Sequence, residues 1–296
     1  AVPALLTLAE SKAEVRADAL DAVGQLGDAD VCERLLPMLA GATNGDRGPL
    51  EQALIALCSR TGTTKPVAAA LPGAADLCKV SLIAVLGSVG GADALEAVRA
   101  AAKAPADEVR RAAIKALAGW ADAGPLDELL AVATETKDAT LKVLALRGVA
   151  RLVPLAGDKS PEKLLELVTQ AMTAADRPDE KKALLSALGT IPSLPAMNSA
   201  QEYQQDPVLA DEAALAALQI ADRIFRQHLP ETEALARQLQ DSPTPALRER
   251  AVALLLKISK ADNLAFGATA TSPDGIDKDG ASSGDQAAID DDPATY

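Results

Sequence analysis

One phrase recurs along this chain, and it limits the fold more than any other feature. Glu14-Val15-Arg16-Ala17-Asp18-Ala19-Leu20-Asp21-Ala22-Val23-Gly24 returns as Glu108-Val109-Arg110-Arg111-Ala112-Ala113-Ile114-Lys115-Ala116-Leu117-Ala118. Looser copies centre on Leu54, Ile83, Leu146, Leu185 and Val252, with a further copy near Leu215, so successive anchors lie 34, 29, 31, 32, 39, 30 and 37 residues apart. Within each copy apolar residues fall at i, i+3 or i+4, and i+7, the spacing of one helix face. A shorter apolar helix is expected between copies, at Val31 to Leu39, Val67 to Leu71, Ala94 to Ala101, Leu126 to Ala133, Leu164 to Met172 and Glu231 to Leu239. Breakers such as Gly90-Gly91 and Gly124-Pro125 separate the helices. A self-similar period of this length is the mark of a stacked array. The expected fold is all-α: an α-solenoid of about eight helix pairs over 1–261, followed by a short non-helical acidic tail over 262–296.

Composition agrees. The chain of 296 residues is rich in alanine and only 2% aromatic, so large aromatics do not build its core. Small side chains let helices of adjacent repeats approach closely and lose little entropy in a helix. The net charge is -13 and the pI near 4.6, which argues against a nucleic-acid binder working by phosphate neutralisation. With three cysteines and His228 as its single histidine, the chain is a poor candidate for a Cys/His zinc site or a Ser-His-Asp arrangement. Cys32, Cys58 and Cys78 sit in apolar helical pattern and read as small buried hydrophobes. The longest apolar runs, such as Leu82 to Leu86, are far shorter than the ~18 residues of a membrane span. The start of the chain has no basic stretch leading into an apolar one, so it reads as a cytosolic protein or a piece of a longer chain.

The Val-Arg-x-x-Ala-Leu/Ile-x-Ala-Leu/Val-Gly/Ala phrase resembles HEAT repeats, especially the short bacterial form related to phycobilisome lyases. The resemblance covers about residues 1–261. It implies a helical solenoid and serves many unrelated binding roles. HEAT-like hydroxylases need several His-Glu pairs for iron, which one histidine cannot supply. HEAT-like DNA glycosylases use a basic, aromatic-rich groove, which Trp120 alone does not make. Trp120 is expected to fill the core rather than anchor a partner.

Six cations hold equivalent positions one turn into the repeated helix: Arg16, Lys79, Arg110, Lys142, Lys181 and Arg248. Asp76, Asp107, Asp138 and Asp179 precede four of them. The expectation is an Asp cap at each helix start, with the cation one repeat away closing a ladder of ion pairs, rather than a basic stripe for an anionic ligand. Ile191 to Pro207 reads as an insertion between helices without chemistry of its own.

After Lys260 the text changes. Residues 263–296 hold seven aspartates and one lysine, for a net charge of -6. Asn263-Leu264-Ala265-Phe266-Gly267-Ala268-Thr269-Ala270-Thr271-Ser272, followed by Ala288-Ile289-Asp290-Asp291-Asp292-Pro293-Ala294-Thr295-Tyr296, resembles the opening of a discoidin domain, the coagulation-factor C-type β-sandwich. Asp291 stands where that family has glycine. A β-sandwich needs roughly 100 residues to close two sheets, so the resemblance implies either an incomplete domain that continues beyond Tyr296 or, over 262–296, a stub that is a flexible tail or packs on the solenoid. It also implies a calcium site with Asp290, Asp292 and Thr295 among its ligands, whose closing ligands come from further sequence.

No catalytic and no cofactor-binding residue is expected. The two functional readings are a non-enzymatic interaction scaffold or spacer within a larger multidomain bacterial protein, and a phycobilisome-lyase-like enzyme subunit acting on a tetrapyrrole-carrying partner protein. Under the first, the chain is exported to the periplasm or beyond, takes a protein partner on its solenoid surface, and has glycan contact through the completed C-terminal domain. A cytoplasmic location goes with the second.

Overall fold

A computed structural model describes residues 1–11 and 13–262, and they form helices and turns without a strand. In chain order the helices are α1 Val2–Ser11, α2 Arg16–Leu26, α3 Cys32–Gly41, α4 Asn44–Thr61, α5 Lys65–Ala70, α6 Asp76–Val89, α7 Ala92–Ala101 and α8 Asp107–Ala118. They continue with α9 Leu126–Glu135, α10 Ala139–Leu152, α11 Pro161–Ala174, α12 Pro178–Leu188, α13 Leu194–Glu202, α14 Ala210–Ile224, α15 Leu229–Leu239 and α16 Pro245–Asp262. The chain divides into two compact units, Ala1–Ala187 and Leu188–Tyr296.

In the first unit α2, α4, α6, α8 and α10 lie side by side, each touching the next. These are the helices of the repeated phrase. Their shorter partners form the facing layer, where α3 touches α5, α5 touches α7 and α9 touches α11. Consecutive helix pairs therefore stack as in an α-solenoid, and each buries its apolar face against its neighbours. The anchors Leu20, Leu54, Ile83, Ile114, Leu146 and Leu185 are all buried. The predicted break at Gly90-Gly91 is a turn with both glycines at positive φ, 77° and 94°, conformations that side chains with a Cβ avoid.

The spacing between layer helices is set by small residues. A Cβ added at Gly24 would lie 3.1 Å from Cα of Ala53 in α4, and one at Gly87 would lie 2.8 Å from the Ala116 Cβ in α8. Gly148 of α10 is tighter still: its Cβ would meet the Ala118 Cβ at 2.8 Å and the Ala118 Cα at 2.9 Å. The Leu129 side chain can swing away from this Cβ, but the backbone of α8 cannot. Gly148→Ala should therefore lower stability by about 1–3 kcal/mol through overpacking, more than the ~1 kcal/mol that alanine adds to helix propensity. Gly48→Ala, in α4 with nothing within 4 Å, should be neutral or stabilising. Paired thermal melts check both, and equal melting temperatures would refute the close-approach account.

Polar contacts fasten the repeats. Arg151 near the end of α10 reaches back one repeat and donates to the carbonyls of Ala118, at 2.8 Å, and Trp120. A guanidinium on the last carbonyls of a helix satisfies acceptors that have no partner within it and complements the helix dipole. Arg47 of α4 reaches forward to the first turn of α6, donating to Leu77 O at 3.1 Å and to Ser81 Oγ at 3.4 Å. In the first turn of α12, the carboxylate of Glu180 is buried and accepts N–H bonds from Asp176 and Arg177, the residues just ahead of the helix, both at 3.2 Å.

The expected ion-pair ladder is only partly present. Arg16 bonds Asp46 at 2.6 Å and Lys142 bonds Asp176 at 3.0 Å, each across a repeat. Lys79 and Arg110 instead pair within their own helices, with Asp76 and Asp107. Arg248 donates to the Ser242 carbonyl. Asp138 alone of the four aspartates caps its helix, accepting from Thr140 N at 2.8 Å and Leu141 N at 3.2 Å, and its cross-repeat partner is Arg111 rather than Arg110. The reason is a one-residue shift. Asp138 is the residue before α10, whereas Asp76 and Asp107 are already the first residues of α6 and α8, where the carboxylate turns toward i+3.

In the second unit α14 packs on α13, α15 and α16. Ile191 to Pro207 is not an open insertion. It contains α13, opened by the Ser193 side chain accepting from Ala196 N and by Pro195 in the first turn, and it buries Ala196, Met197 and Ala200. Proline at a helix start is favoured rather than breaking. Two anchors also shift. In α14 the buried stripe runs through Ala214, Leu218 and Ala221, with Leu215 half-buried. In α16 it runs through Leu247, Ala251, Leu254 and Ile258, while Val252 is 51% exposed.

Candidate functional site

A recess of about 630 Å³ opens in the first unit between α5 and α7, above the first turns of α6 and α8. Its floor is Ala68, Ala69, Ala97, Ala100, Ala101 and Ala104, so the helix backbones lie close to the surface. The rim is charged, with Lys65 and Lys79 on the α5–α6 side and Asp93 and Glu96 on α7.

A smaller recess of about 360 Å³ occupies the matching place between α1 and α3. There Arg16, which stands where Lys79 stands, spans to Asp46 of the next repeat and draws the mouth together. That bond, helped by one from the Thr43 hydroxyl, holds the Asp46 carboxyl below the usual carboxylate range. At the wider recess Lys79 turns to Asp76 at 3.6 Å, and no bridge crosses. A change in one ion pair thus accompanies a wider groove. The repeat phrase gave the equivalence of Arg16 and Lys79, but not which partner each selects.

A second feature was hidden from the sequence. Cys32, first residue of α3, and Cys58, near the end of α4, bring their sulfurs to 4.0 Å, with neither residue exposed. A thiol–thiol hydrogen bond joins them. It holds the Cys32 thiol below its ordinary value and, with burial, pushes Cys58 up. Cys58 occupies the position four residues after its anchor, where other copies have Gly24, Gly87 or Ala118, so it read as one more small residue at a helix contact. Cys78 is buried too, on α6 beside Arg47.

Among the described residues no group of three His, Cys, Asp or Glu side chains is placed to hold a metal ion. His228 lies half-buried just before α15, where its carbonyl accepts from Thr232 N. Trp120 is 1% exposed, a core filler in the turn between α8 and α9. Asp290, Asp292 and Thr295, and the whole discoidin-like stretch, lie outside the described residues. None of the described helices is long and apolar enough to cross a membrane.

No family model matches this chain. No curated protein matches it either. Among solved structures it is similar to the crystal structure of an engineered protein from a structural genomics consortium, at a TM-score of 0.47 and 17% identity, over 86% of this chain and 77% of that one. That similarity is too weak to carry a fold or a function from one chain to the other.

Proposed function

We propose that this chain is a non-enzymatic interaction scaffold: a HEAT-like stacked-helix spacer of a larger multidomain bacterial protein that is exported and linked to surface or glycan binding through a discoidin-like module. The observation that carries the interaction role is the groove between α5 and α7. Its alanine floor lets a bound segment lie close to two helices, and its rim carries opposite charges on opposite sides. The complementary ligand is an extended or helical peptide with a narrow apolar face, acidic groups toward Lys65 and Lys79, and basic groups toward Asp93 and Glu96. Shape and burial supply affinity in such a groove, while the rim charges set orientation.

Selection of displayed random peptides on the purified chain tests this reading. Enriched peptides should share that pattern and should bind the Ala100→Glu variant at least tenfold more weakly. Ala100 is exposed, so the substitution leaves the packing intact. Peptides that bind native and variant chains equally would refute the groove as the site. A visible absorbance shift on mixing the chain with a free bilin would instead favour the lyase-like reading.

A further inference from the structure

We propose that Cys32 and Cys58 are a disulfide-forming pair, which closes when the chain meets a small-molecule disulfide during folding or transient opening. The proposal stands on placement within the first unit and does not depend on the scaffold reading.

The two sulfurs are 4.0 Å apart across the contact of α3 and α4. Side-chain rotation and a small shift of the first turn of α3 separate that distance from a bond. Cys32 is the helix's first residue, where opening disturbs the fewest backbone hydrogen bonds. Cys78 has no such opportunity. It lies beside Arg47, which bonds Leu77 O and Ser81 Oγ, and Arg47 precedes Cys58 on α4 by eleven residues, ~16 Å along the axis at 1.5 Å per residue. The fold therefore selects one of three pairings.

The chemistry is ordinary thiol–disulfide exchange. The Cys32 thiolate, favoured by its hydrogen bond from the neighbouring thiol, attacks one sulfur of oxidised glutathione. The glutathione S–S bond breaks, and the departing glutathione thiolate takes a proton. Cys58 then loses its proton to solvent and attacks the Cys32 sulfur of the mixed disulfide, and the second glutathione leaves and is protonated. Two protein thiols are oxidised and one glutathione disulfide is reduced to two thiols. The product ties α3 to the far end of α4, and its burial shields it from reductant.

The test is oxidative refolding of the reduced, unfolded chain in a glutathione buffer, followed by alkylation, tryptic digestion and mass spectrometry. Trypsin leaves the cysteines on separate peptides, 17–34, 48–60 and 61–79. The expected main product is a monomer with 17–34 linked to 48–60 and Cys78 alkylated. The same oxidation in concentrated urea should favour 48–60 linked to 61–79, because that pair encloses the shortest loop. The oxidised native chain should melt several degrees higher than the reduced one, and Cys32→Ala should abolish that difference. Linkage of Cys58 to Cys78 in the folded chain, three alkylated thiols, or an undiminished melting shift in Cys32→Ala would overturn the proposal.

Discussion

Trp120→Ala will lower the unfolding free energy by about 3–5 kcal/mol, the usual cost of removing a buried aromatic. Trp120 is the chain's only tryptophan and sits 1% exposed in the turn between α8 and α9, a turn that also buries Ala123 and leads into the buried Leu126 at the start of α9. Its side chain is the largest fully buried one among the described residues. The turn cannot collapse freely into the space, because Arg151 of α10 holds the Trp120 and Ala118 carbonyls from the neighbouring repeat. That restraint places the loss in the upper part of the range, and Trp120→Phe should recover much of it. Urea titration followed by circular dichroism measures the change. A loss under about 1 kcal/mol would mean that the site repacks and that Trp120 is not a core residue of the stack.

Ile114→Ala will cost about 2–5 kcal/mol, again as lost transfer energy and a residual cavity. Ile114 is 1% exposed on α8, which packs between α6 and α10 in the repeated layer. Solenoid stability is close to a sum of repeat and nearest-neighbour terms, so this change weakens α8 and the contacts on either side of it. Trp120 fluorescence supplies a local reading, since it follows only the unit that contains α8. Fluorescence and helical signal should both shift to lower urea, with fluorescence shifting at least as far. An unchanged fluorescence midpoint would show that Ile114 does not hold adjacent repeats together.

The helix pairs were legible because the repeated phrase carries two independent signals, apolar spacing and breakers at a steady interval. The short helices Ala92–Ala101 and Leu126–Glu135 fall where the intervening apolar segments were read. The second unit was less legible. Ile191 to Pro207 reads as an insertion, yet Pro195 stands in the first turn of α13, and the anchors of α14 and α16 slip by about a residue. Alanine-rich helices blur the apolar face, since alanine fits core and surface alike, so register there depends on what packs against the helix. The division at Leu188 has no mark in the text either, because the repeat pattern runs straight through α12.

The sequence by itself determined the helices, their pairing and most of the buried anchors. Each of these follows from one segment needing to cover one apolar face, a condition written in local periodicity. Tertiary structure decided the rest: that Arg16 bridges to the next repeat while Lys79 turns to its own helix, that the groove between α5 and α7 is wider than the one between α1 and α3, and that Cys32 meets Cys58 but not Cys78. These outcomes depend on ångström-scale offsets between neighbouring helices. Such offsets arise from close contacts like Gly148 on Ala118, where two backbones meet and no single segment records the distance.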